Sequence, residues 1–89
     1  MDAFHPETGT VLEVEAGRAV VNYQFLKDLF EACMIQDCRW LAIAVQNAYK
    51  PKSANSASDD YSKVTAFMET LYASGRLKLP LEGIMIIGY

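Results

Sequence analysis

The stretch Trp40–Val45, WLAIAV, is an uninterrupted apolar run of six between Arg39 and Gln46. A run this short with polar flanks suits a strand covered on both faces. It is far too short to span a bilayer. A second run of the same kind follows at Ile84–Ile87. Each run comes after a segment with a helical repeat. In NYQFLKDLFEACM, Leu26, Leu29, Phe30, Cys33 and Met34 recur at i, i+3, i+4, i+7 and i+8, which predicts one apolar helix face. Asn22 suits its N-cap, and Lys27 and Glu31 are spaced to pair on the outer face. The second helix is predicted over Asp59–Ala73, with Val64, Phe67, Met68, Leu71 and Tyr72 inward. Ser58 or Asp59 can cap it, and Gly75 stands just past its end.

Upstream, Val11 to Ala16 alternates. Val11, Glu13 and Glu15 share one face, and Leu12, Val14 and Ala16 the other. The turn residues of HPETGT precede it, so Asp2 to Phe4 is expected to end an antiparallel partner strand. The order is a β-hairpin followed by α-β-α-β. That predicts an α/β fold, a small mixed β-sheet with two packed helices, in a single domain over residues 1–89. KPKSANSAS, after the central run, reads as a polar loop.

Eight basic and eleven acidic residues give a net charge of -3, which argues against a bulk basic surface for nucleic acid but leaves room for a local basic cleft. Cys33 and Cys38 have no further cysteine, and the one histidine, His5, is far off in sequence, so both thiols are expected free. MDAFHPETG has no apolar signal core, and the default location is cytoplasmic. No phosphate loop, nucleophile elbow or RNA-binding aromatic pattern is present.

The unusual feature is the acid pair inside LEVE. Glu13 and Glu15 on one strand face, with Asp2 on the hairpin arm beside them, bring three carboxylates toward one patch. Such a group repels itself unless a cation neutralises it, and hard oxygen ligands suit Mg²⁺ or Mn²⁺. An acid, a hairpin and then Glu13-Val14-Glu15 resemble the PD-(D/E)xK nuclease superfamily, the fold of many restriction endonucleases. The third motif position is Glu15 here, where most members carry lysine. The resemblance implies a restriction endonuclease-like core and hydrolysis of DNA phosphodiester bonds. It makes Asp2 and Glu13 metal ligands, aided by the Val14 carbonyl, with Glu15 orienting or deprotonating the attacking water. Arg18, Gln46, Asn47 and Lys50 become substrate-binding candidates, and Lys52 a further phosphate contact. The family core has a helix and a strand before the first acid. Those pieces do not precede Asp2 here, so either the chain is a piece of a longer protein or a second copy completes the sheet, and with the open edge at the first short strand a homodimer or larger assembly is expected. The rival expectation is a non-catalytic interaction domain that keeps this fold, favoured by the acidic charge and by Glu15 in the lysine position.

Overall fold

A computed structural model describes residues 1–15, 23–47 and 59–89. Ala16, Gly17, Arg18, Asn22, Lys50, Lys52 and Ser58, and the polar loop around the last three, lie outside the described residues. The elements run β1 (Ala3–His5), β2 (Thr10–Glu15), α1 (Gln24–Met34), β3 (Trp40–Val45), α2 (Asp60–Ser74) and β4 (Gly83–Gly88). One sheet holds all four strands in the order β1-β2-β3-β4. The pair β1/β2 is antiparallel, and β2/β3 and β3/β4 are parallel. The mixed α/β fold read from the sequence is therefore the fold observed.

The hairpin turn depends on Gly9. Its φ is +70°, and a Cβ there would stand 2.7 Å from the Asp37 carbonyl oxygen. Its own carbonyl accepts from the amides of Arg39 at 2.7 Å and Trp40 at 3.0 Å, which fastens the turn to the start of β3. Helix α2 begins as predicted: the Asp59 side chain accepts from the Ser62 amide at 3.1 Å, and Gly75 ends the helix in the left-handed conformation. Helix α1 starts differently. Tyr23 occupies the N-cap position at φ 55° with no side-chain cap bond.

Strand order explains where the core sits. The chain advances one way across the sheet, so two crossovers of the same hand place both helices on one face. Val11, Leu41, Ile43 and Val45 from the strands pack there with Phe25, Leu29 and Ala32 of α1 and Val64 and Met68 of α2. The expectation of strands covered on both sides is corrected for the same reason. The opposite face carries Leu12, Val14, Trp40, Ala42, Met85 and Ile87, of which Trp40 is 42% and Met85 62% exposed. Gly83 lets the Trp40 indole lie across β4, since a Cβ there would meet the ring at 2.8 Å.

The face of α1 is also corrected. Its buried residues are Phe25, Asp28, Leu29 and Ala32, whereas Phe30 is exposed and Met34 is 85% exposed. The spacing is still i, i+3, i+4 and i+7, but the stripe is rotated by about one residue and includes an acid. Among the described residues no helix is long and apolar enough to cross a membrane.

Candidate functional site

Strand alternation sends Val11, Glu13 and Glu15 toward α1. Val11 joins the core, and Glu13 is only 6% exposed. The helix meets this face with Asp28, which is 9% exposed. One carboxylate oxygen from each of Glu13, Glu15 and Asp28 lies within 4.8 Å of the other two. Asp28 Oδ2 has no hydrogen-bond partner among the described residues. Burial pushes the Asp28 carboxyl up to about 8, helped by its hydrogen bond to Glu15 and by the negative charges of Glu15, Glu13 and Glu31.

The Met1 ammonium borders the cluster, 3.1 Å from Glu13 Oε1 and 3.2 Å from Glu31 Oε1. The contact with Glu13 is an ion pair. Its two acid neighbours hold the ammonium proton more tightly than usual. Glu31 thus faces this charge rather than the Lys27 partner that helical spacing suggested.

Asp2, expected beside Glu13, has a different task. Its Oδ2 accepts from the Val14 amide at 2.6 Å, and its own amide donates to the Leu12 carbonyl at 3.1 Å. The side chain stands in for the next carbonyl of the hairpin ladder. It lies next to the acid pair, but the mutual cluster is completed by Asp28.

Gln46 and Asn47 are where the sequence placed them, just past the end of β3, whose Val45 is in register with Glu15. The Gln46 carbonyl accepts from the Tyr61 amide at 3.2 Å, and the Asn47 amide donates to the Tyr89 carbonyl at 2.7 Å. The Tyr89 hydroxyl donates to the Glu15 carbonyl at 2.8 Å. The carboxyl ends of β2, β3 and β4 are thereby tied together beside the acids. Arg18 and Lys50 lie outside the described residues. Both cysteines are free, and burial raises both thiols above the ordinary range. They are poor nucleophiles and sit apart from the cluster.

The residue that sequence reading missed is Asp28. Its signal was available: it falls in the stripe with Phe25, Leu29 and Ala32. Three hard oxygen donors, two of them more than nine-tenths buried, fit a divalent cation of the Mg²⁺, Mn²⁺ or Ca²⁺ kind and not a thiolate-seeking metal. Compared with known proteins, the chain matches no family model, no curated protein and no solved structure.

Proposed function

We propose that this chain is a metal-dependent protein of the restriction endonuclease-like kind that hydrolyses phosphodiester bonds, with DNA as substrate. The observation that supports this reading is the convergence of Glu13 and Glu15 on one sheet face with a buried carboxyl opposite them. Asp2, bonded to the Val14 amide between the two glutamates, keeps the acid-then-ExE arrangement compact. A Mg²⁺ or Mn²⁺ ion held by such acids supplies charge stabilisation at a phosphoryl oxygen and lowers the pKa of water. Glu13 is the ligand oriented by burial. Glu15, at the open end of β2, would share the ion through one carboxylate oxygen and take the proton of an attacking water on the other. Gln46 and Asn47, at the neighbouring strand end, lie where substrate held at that water would pass. Arg18 and Lys50 are the candidate phosphate contacts. The test is plasmid nicking with Mg²⁺ or Mn²⁺, comparing wild type with Glu13→Ala. Cleavage by the wild type alone is the expected result. A wild type that neither nicks nor binds metal removes the reading.

A second reading, a non-catalytic domain that pairs with its own copy, is favoured by the open sheet face. The residues there include Leu12, Val14, Trp40, Ala42, Met85 and Ile87, with no charged side chain among them. Two copies can meet on it without opposing like charges, although each chain carries -3. Sedimentation of wild type and Met85→Lys decides it: a dimer broken by the lysine supports this reading, and a monomeric wild type removes it.

A further inference from the structure

We propose that Asp28, projecting from α1, is the third protein ligand of a divalent cation held with Glu13 and Glu15, in the role that the sequence motif assigns to Asp2. The proposal rests on the metal-dependent reading above but concerns the seat of the ion, not the reaction.

Geometry comes first. Oxygens that share a cation at about 2.1 to 2.6 Å stand no more than roughly 4 to 5 Å apart. The three carboxylates already meet within 4.8 Å, inside that range. The second observation is independent of the clustering. Asp28 is 9% exposed, yet its Oδ2 has no hydrogen-bond partner among the described residues. A buried carboxylate oxygen without a partner destabilises the fold, and a cation on that oxygen removes the penalty. The position itself is otherwise a core position, between Phe25 and Leu29 on the stripe that packs on the sheet. Nothing in the packing of that stripe calls for a carboxylate.

Asp2 is the poorer ligand for a specific reason. One of its oxygens is held 2.6 Å from the Val14 amide, and that bond extends the hairpin ladder. Turning it toward an ion would leave the amide without its acceptor. The Met1 ammonium compensates only part of the acid charge, since its ion-pair partners are Glu13 and Glu31. Glu15 and Asp28 form no ion pair among the described residues.

The experiment is Mn²⁺ titration of the full chain by calorimetry, with the bound ion followed by electron paramagnetic resonance. Wild type, Asp28→Asn and Asp2→Asn are compared, and circular dichroism confirms that each is folded. The expected result is one Mn²⁺ per wild-type chain. Asp28→Asn weakens binding at least about tenfold, and Asp2→Asn changes it by less than about threefold. Asp28→Asn binding Mn²⁺ as the wild type does overturns the proposal, as does a wild type that binds none. Plasmid nicking separates this from the reading it rests on. Mn²⁺ bound through Asp28 without nicking leaves the site and removes the nuclease. Nicking that persists with unchanged Mn²⁺ binding in Asp28→Asn does the reverse.

Discussion

Asp28→Asn should change the pH dependence of stability more than stability itself. The Asp28 carboxyl is raised from 3.8 to about 8 in the folded chain, mainly by burial and then by Glu15, Glu13 and Glu31. Below about pH 4 the group is protonated whether the chain is folded or not, and its contribution to stability is fully present. Between about pH 4 and pH 8 the unfolded chain gives up the proton while the folded chain keeps it. Stability is therefore lost as pH rises, at about 1.4 kcal/mol per pH unit from this one group, and the loss levels off above the folded value. Asparagine has nearly the same shape and does not titrate. Glu13, Glu15, Glu31 and the Met1 ammonium remain in both proteins. From about pH 5 to pH 7 the stability of Asp28→Asn relative to wild type should climb by roughly 2 to 3 kcal/mol. That is a large share of the 5 to 15 kcal/mol typical of a domain. Urea unfolding at several pH values, followed by far-ultraviolet dichroism and the fluorescence of Trp40, measures it. Parallel stability curves for the two proteins would refute the claim that Asp28 is buried against the glutamates.

The rotated face of α1 predicts a contrast between neighbours: Leu29→Ala, at a fully buried position, should cost about 2 to 5 kcal/mol, and Met34→Ala, at an exposed one, within about 0.5 kcal/mol, both by urea unfolding. Gly9→Ala should cost about 1 to 3 kcal/mol, because a Cβ there meets the Asp37 carbonyl at positive φ, and the thermal midpoint should fall accordingly. Arg39 donates to both Glu82 oxygens at 2.9 and 2.8 Å, but in an exposed position, so Glu82→Gln should cost less than about 1 kcal/mol, and less still in high salt.

The elements were legible because their signals are local. WLAIAV and IMII mark strands whatever surrounds them, and Asp59 and Gly75 bracket α2 by their own backbone chemistry. Single strands do not carry the side on which the crossovers pass. That follows from strand order, and it decides that Met85 and Trp40 stay exposed while Ile43 is covered. The face of α1 is not legible from its apolar residues alone, because the buried stripe includes an acid, Asp28. Glu13 and Glu15 were placed correctly on one side of β2, but that side was not identified as the one the helices cover. Once it is, the helix that follows β2 must lie over two carboxylates, and the stripe through Phe25, Leu29 and Ala32 carries Asp28 into contact with them.

This coupling makes the site a consequence of the core. Burying Phe25, Leu29 and Ala32 fixes the rotation of α1, and that rotation brings Asp28 to the glutamates. Three ionised carboxylates within 4.8 Å of one another would repel by roughly 3 kcal/mol per pair at an effective dielectric constant near 20. Three pairs sum to about 10 kcal/mol, comparable with the whole stability of a domain of this size. The cluster therefore does not stand fully ionised and uncompensated under α1. A proton on Asp28 removes the two pairs that involve it, which is the state its raised pKa describes. A divalent cation among the three oxygens removes all three pairs and releases that proton. The two states compete for the same oxygen atoms, so Mn²⁺ should bind more tightly as pH rises toward 8 and should reverse the alkaline loss of stability in the wild type. Asp28→Asn, with no proton to displace, should show neither effect.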